Sequence, residues 1–436
     1  MSKIRMLSLA IAALAVSTIA ARAGAQRSAA ANGPDPLAFL AHVRNARLLA
    51  AGDLAARNLV DCSMPPENAA AAVGPIVDAP PSKIFDQLYY LGSNSVATWA
   101  IVTSAGIIQI DSLNNTADAQ RVIIGGYKKL GLDPGQMKYL VLTHGHNDHF
   151  GGAKYLQDTY HPRVLMSAAD WDMVAKLPPA TDGVVPPARD MDIADGQKLT
   201  LGGTTLTFYI TPGHTPGTVS MLVPVTDRGQ PHSLSFWGGS AIPRNLEPAG
   251  QVGRMDAGVL AYKESFERFF KLGEDADADG YIANHPYRDQ TAVDGKNDRI
   301  AKNQARKRGE SSAFIDRGTY IRYYMISLEC IEAQEGWVRA GRPPIPEGTR
   351  ARRPSAQRDG RVPEGGLPPG AKRERAMVRK GGLEPPRPCG RQPLKLVRLP
   401  IPPLPQVDLL RTYFFSGAFA GAAGGSRESA GEKVSP

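Results

Sequence analysis

From about residue 84 to residue 288 the chain alternates two kinds of apolar segment. Runs that alternate or are β-branched, "IFDQLYYLG", "SVATWAIVTS" and "AGIIQIDS", are punctuated by Gly, Ser and Asn and predict strands joined by turns. "ADAQRVIIGGYKKLGL" and "GGAKYLQDTY" predict helices, with "MKYLVLT" and "RVLMS" as strands between and after them. "KLTLGGTTLTFYITPG", "TVSMLVPV" and "SLSFWGG" continue as strands, and "VLAYKESFERFFKLG" predicts a helix before the strand "ADGYIANH". Ahead of all these, "DPLAFLAHVRNARLLAAGDLAARNLV" carries apolar residues at helical spacing and predicts a helix laid against the core. Strands interleaved with helices argue for an α/β sandwich in which helices cover sheets. One globular domain over residues 35–340 accommodates them all, and no repeat period appears.

The two ends differ from this middle. Residues 1–25 place Lys3 and Arg5 before an apolar stretch from Met6 to Ala20, then small residues in "ARAGAQ". That order predicts a secretory signal peptide cleaved after Ala23 or Ala25, and so export to a bacterial periplasm. The stretch is shorter than the roughly 20 residues that span a bilayer, and no other run is long enough, so no membrane span is expected after cleavage. Residues 342–436 are rich in Pro and Gly, and their basic excess accounts for the +9 formal charge of the 436-residue chain. Such a composition cannot bury a core and predicts a disordered basic tail. The tail does not alternate aromatic with basic residues, so no nucleic-acid partner is expected. Three cysteines, Cys62, Cys330 and Cys389, are too scattered for a zinc ribbon. In an oxidising compartment Cys62 and Cys330 could pair, or both could stay free.

The candidate chemistry sits in "YLVLTHGHNDHFGG", a strand ending in a polar loop followed by glycines and a helix. The chain has eight histidines, and three of them, His144, His146 and His149, fall here with Asp148. His144 and His146, two apart, can project to one side of a loop, while Asp148 and His149 turn to a second point. Neutral imidazole beside carboxylate suits a divalent ion, and two such points make a two-metal site. Further ligands must come from elsewhere: His214 in "YITPGHTPGTVS" and His285 in "YIANHPYRD" each stand where the chain leaves a predicted strand. His42, His161 and His232 fall in a helix, a turn and the polar loop "DRGQPHS" and are expected at the surface. Trp171 and Tyr287 could shape a cleft or simply pack.

The pattern H-x-H-x-D-H, a histidine in "TPGHTPG" and a distal histidine together resemble the metallo-β-lactamase superfamily, over roughly Ile84 to Arg288 and on to the last helix near Ala340. The resemblance implies an αβ/βα four-layer sandwich with the site along the sheet edges. In many members an aspartate after "TPGHTPG" bridges both metals; the matching strand here, "FWGGSAIP", has Gly238 and Gly239 at that place. The cysteine ligand of the first β-lactamase subclass is also missing. The set is most similar to the third subclass, which implies two Zn2+ per chain: His144, His146 and His214 on one, Asp148, His149 and His285 on the other. Ser240 matches a family serine near the second zinc, with a role toward bound water or a substrate carboxylate; a turn serine is the plainer alternative. Asp111 in "IIQIDS" is expected to accept from a ligand imidazole and fix its tautomer, or to be a strand-end turn residue.

The activity implied is hydrolysis of a β-lactam amide bond by zinc-bound hydroxide without an acyl-enzyme, with Asp148 holding the nucleophile and helping to move its proton. The expected partner is a small-molecule substrate, and no obligate protein partner is evident. A di-metal hydrolase acting on a lactone, ester or thioester is the alternative, against which the missing bridge counts. An iron-dependent oxidoreductase on the same scaffold is the third reading. The region from Pro178 to Pro187 does not indicate an antibiotic preference.

Overall fold

The computed structural model describes residues 37–50, 62, 75–177, 184–246, 258–289, 291–292 and 298–342. The expected signal peptide and all but the first residue of the expected tail lie outside them.

Two sheets form. The first runs in the order β1 (Ser82–Lys83), β2 (Leu88–Gly92), β3 (Ala97–Thr103), β4 (Gly106–Ile110), β5 (Met137–Val141), β6 (Arg163–Ser167) and β7 (Met191–Ile193). Its first four strands pair antiparallel and the rest parallel, each parallel connection carrying helical segments between strands. The second sheet holds β8 (Lys198–Leu201), β9 (Thr204–Ile210), β10 (Val219–Asp227), β11 (Gln230–Trp237) and β12 (Gly280–Ala283), antiparallel except for β11 beside β12.

The strand period of two sorts side chains between layers. On β3, Ala97, Trp99 and Ile101 face the second sheet, where Phe208, Met221, Val223 and Phe236 meet them in one core. Ala100 and Val102 face the other way, against Ile123, Tyr127, Leu156 and Trp171 of the covering helical segments. The second sheet repeats this: Leu222 and Trp237 turn outward to Tyr262, Phe266 and Phe269 of the helix Val259–Asp275 and to Tyr324 of the helix Arg317–Arg339. Helix, sheet, sheet, helix is the αβ/βα sandwich expected from the sequence. Both faces of the central strands are dry, which is why they read as continuous apolar runs.

The helix Phe39–Leu49 packs Phe39, Val43 and Ala46 on Ile326, Ala333 and Trp337 of the last helix. Cys62 and Cys330 are joined in a disulfide, so the open question of their pairing resolves toward the bridge. Two local expectations change, for His42 and His232, and one open alternative, for Trp171, resolves toward packing. His42 is half-buried and pairs with Glu329 at 2.8 Å instead of lying free at the surface. His232 sits in β11, not in a loop: Arg228 and Gly229, at φ 52° and 83°, make a two-residue hairpin that brings Gln230 back opposite Asp227. Trp171 is a core residue, 3% exposed, with its indole N–H donating to Met191 O.

Candidate metal centre

The six expected ligands come from three places, each at the end of a strand. β5 ends at Val141, and His144, His146, Asp148 and His149 follow in the next eight residues. His214 lies between β9 and β10, and His285 directly after β12. All open on one rim of the sandwich, the place where α/β sheets put their sites.

The structure brings all six together. His144, His146 and His214 offer ligand atoms within 4.8 Å of one another, and so do His144, Asp148 and His149. His285 joins the second group, its Nε2 3.3 Å from His149 Nε2 and 3.6 Å from Asp148 Oδ2. His144 is thus shared, its ring 4.1 Å from that of His149 and 4.6 Å from that of His214.

Tautomers decide where the lone pairs point. Nδ1 of His214 faces Ala241 O at 3.0 Å, Nδ1 of His285 faces Ser95 O at 2.8 Å, and Nδ1 of His149 faces Asp111 Oδ2 at 2.8 Å. Each acceptor requires the N–H on Nδ1, so a neutral ring turns the Nε2 lone pair inward. Lone pairs of His149 and His285 at 3.3 Å repel unless a cation stands between them. Tetrahedral zinc with bonds of about 2.0–2.1 Å spaces its nitrogens at about this distance. Nε2 of His144 is buried with no hydrogen-bond partner. Such a buried orphan costs stability unless a ligand meets it. The donor set therefore fits divalent metal.

Charge differs across the cluster. Burial and the surrounding imidazoles hold His144 well below its ordinary pKa, and burial with His146 does the same to His214. Burial brings His146 down to about 4. Burial and His149 lower His285. For His149 burial is outweighed by Asp148 and Asp111, which carry it up to about 10 in the metal-free chain. Burial would raise Asp148, but His149 and the other imidazoles hold it well below the usual carboxylate range.

Asp111 does both things the sequence allowed. It stands at the end of β4 with φ 59°, a left-handed backbone uncommon outside glycine. Its carboxylate accepts from Thr143 N at 2.8 Å and Thr143 Oγ1 at 2.9 Å as well as from His149. Its carbonyl accepts from Thr98 Oγ1 at 2.8 Å and Gln109 Nε2 at 3.1 Å, and Tyr127 OH donates to Gln109 Oε1, so a fully buried polar chain underlies the strained residue. Ser240 is 4% exposed and donates to Asn284 Oδ1 at 2.6 Å, while Asn284 Nδ2 donates to Gly238 O. A role for Ser240 toward substrate or water would use its lone pairs. Tyr287 is half-buried with its ring 5.3 Å from that of His285.

Residues missed in the sequence include Asn284, whose amide ties the second sheet to Thr143 Oγ1, and Asp170, fully buried beneath the His144–His146 turn. Burial pushes the Asp170 carboxyl up to about 6, against three hydrogen bonds that pull it down. A signal existed: "SAADWDMV" is a Ser-x-x-Asp helix start before an apolar run.

The family model of the metallo-beta-lactamase superfamily matches residues 92–227, which hold five of the six ligands. Over those residues the chain resembles the metallo-β-lactamase superfamily. The chain is 36% identical over 88 residues to a hydroxyacylglutathione hydrolase of Acidiphilium cryptum, 20% of this chain and 31% of that protein. It is 26% identical over 179 residues to the N-acyl homoserine lactonase AttM of Agrobacterium fabrum, 37% of this chain and 66% of the lactonase. The chain spans less than half the length of the hydroxyacylglutathione hydrolases it matches. Among solved structures, the subclass B3 metallo-β-lactamase BJP-1 of Bradyrhizobium japonicum superposes with a TM-score of 0.47 at 24% identity, covering 56% of this chain and 89% of that one. A Cronobacter sakazakii metallo-β-lactamase gives 0.47 at 28%, covering 57% and 91%.

Proposed function

We propose that this protein is a di-zinc hydrolase that opens the β-lactam amide bond and works in the periplasm after loss of residues 1–25. The observation that carries the reading is at Gly238 and Gly239. A side chain at 238 would start 1.9 Å from Val219 O, and one at 239 would start 2.5 Å from His214 Cβ. A bridging aspartate has no room on this backbone, which supports separate ligand sets: His144, His146 and His214 for one metal, Asp148, His149 and His285 for the other. That is the ligand set which the resemblance to third-subclass β-lactamases implies. The bridged alternatives, thioesterases and lactonases, lose their shared ligand here. The Cys62–Cys330 bridge supports export, since disulfides persist in oxidising compartments.

Zinc bound there would supply an activated water near neutral pH and polarise the carbonyl under attack. The chain's own groups do the rest. Asp148 is held as a carboxylate, with Oδ2 3.5 Å from His149 Nε2, so it can accept a hydrogen bond and orient the attacking oxygen. Its work there is to hold the nucleophile and help move its proton. Asp111, Ser95 O and Ala241 O keep the Nδ1 protons in place, so the imidazoles cannot turn while the reaction proceeds. Ser240 and Asn284, both buried, hold each other beside the loops that carry His214 and His285.

A second reading, hydrolysis of a thioester or lactone, is favoured by the sequence relatives, a hydroxyacylglutathione hydrolase and an N-acyl homoserine lactonase. One assay separates the two. A chromogenic cephalosporin, a carbapenem, a hydroxyacyl thioester and an acyl homoserine lactone are offered to the purified mature chain before and after chelation and zinc add-back. Zinc-dependent turnover concentrated on the β-lactams is expected; turnover confined to the thioester or lactone establishes the second reading. Elemental analysis at about two zinc per chain excludes the iron reading.

A further inference from the structure

Two loops supply the three-histidine half: the turn His144-Gly145-His146 and the loop from His214 to Gly217. They come from different sheets and share few backbone bonds. Both rest on one side chain. Asp170 Oδ2 accepts from Gly145 N at 2.8 Å and from Thr215 Oγ1 at 2.7 Å, and Oδ1 accepts from Gly217 N at 2.7 Å. Gly145 lies between two ligands, and Thr215 follows the third.

The helix that carries Asp170, Ala168–Val174, explains both glycines. A Cβ at Gly145 would lie 2.5 Å from Met173 Cε and 2.8 Å from Val174 Cγ2; one at Gly217 would lie 2.0 Å from Ser167 Oγ and 2.8 Å from Asp170 N. Two separate loops have thus given up side chains to bring peptide N–H groups onto one carboxylate. In a capping box the acid three residues after the cap turns back to the cap's own N–H. Ser167 does cap Asp170 N, at 3.3 Å, yet the Asp170 carboxylate reaches away to the two loops. Neutral hydroxyl or amide could not replace it: an amide would set N–H against Gly145 N–H or against Gly217 N–H.

We propose that Asp170 is a positioning residue that sets the spacing between the His144–His146 turn and the His214 loop, and through it the geometry of the three-histidine half alone. The proposal rests on the metal-site reading above. Because one rigid carboxylate spans both loops, its loss lets them move apart and loosens the convergence of His146 Nδ1 and His214 Nε2, now 3.0 Å apart.

The test is zinc affinity by competition with a chromophoric chelator, on the mature chain. A His285→Ala background leaves only the three-histidine half complete, and a His146→Ala background only the other. Asp170→Asn should weaken zinc about 10–100-fold in the first background and by less than about threefold in the second, the range of a lost supporting partner. Should Asp170→Asn fail to fold, Thr215→Val removes one of the three bonds and Thr215→Ser keeps it. The valine variant should weaken the three-histidine half and shift the cobalt(II) absorption of that half, while the serine variant matches the unmodified chain. Equal loss in both backgrounds, or a valine variant indistinguishable from serine, overturns the proposal. If the unmodified chain takes up no zinc, the metal reading itself is wrong.

Discussion

The two halves of the site use imidazole in opposite ways. In the half of His144, His146 and His214, burial keeps the rings neutral before any metal arrives, and peptide groups and carbonyls hold them. In the half of Asp148, His149 and His285, two carboxylates are interleaved with the rings and raise His149 above its ordinary pKa against its burial. Both halves turn ring nitrogens inward, but only the second sets carboxylate beside them. Support differs in the same way. Asp170 acts on the first half through backbone, whereas Asp111 touches a ligand of the second directly.

The largest effect should follow removal of a ligand. His146→Ala is expected to empty the first half and cut turnover by more than the about 100-fold that a lost supporting residue costs. Retention of full zinc and full rate would break the assignment. Asp111→Asn comes next: zinc in the second half should weaken about 10–100-fold while the first half is spared, read by the chelator competition described above. Equal weakening of both would erase the contrast between direct and indirect support.

Gly239→Ala probes the crowding beside His214, where the new Cβ would lie 2.5 Å from His214 Cβ. Overpacking of this kind costs about 1–3 kcal/mol. Urea melts should show that loss, and zinc titration should show the first half weakened more than the second.

The smallest effect lies outside both halves and serves as their control. The hydrogen bond to Glu329 raises His42 above its ordinary pKa despite partial burial. A raised folded value means that the charged pair stabilises the docked helix fully below about pH 6.5. That contribution is lost as pH climbs through the folded value. Hydrogen-exchange protection of residues 39–49 should therefore fall as pH climbs above about 6.5, and His42→Ala should remove the pH dependence without altering zinc content. A flat profile would show that apolar packing alone docks the helix.

The histidine cluster was legible because eight histidines are few and five of them stand where predicted strands end. The two-layer sheet arrangement was legible because β3, β4 and β10 are β-branched runs buried on both faces. What stayed hidden depends on contacts remote in sequence. Asp170 is 25 residues from Gly145 and 45 from Thr215, so nothing near it announces its partners. The seven-residue helix that bears it is too short for a clear period, and β7, three residues long, offers even less. His232 was misplaced because "DRGQPHS" has the polarity of a loop, while the hairpin pairing of β10 with β11 extends the ladder through it. The entry helix was expected over about 35–60; the described part runs from Phe39 to Leu49, and residues 51–61 lie outside the described set.

The bridge between Cys62 and Cys330 spans 268 positions of sequence, and every candidate metal ligand lies between its ends. The catalytic domain is therefore a covalent ring with a helix docked on its closure. A single protease cut in any loop of that ring opens it without releasing a fragment. Both pieces stay on one molecule until the bridge is reduced, so a domain of this design can be nicked without being divided.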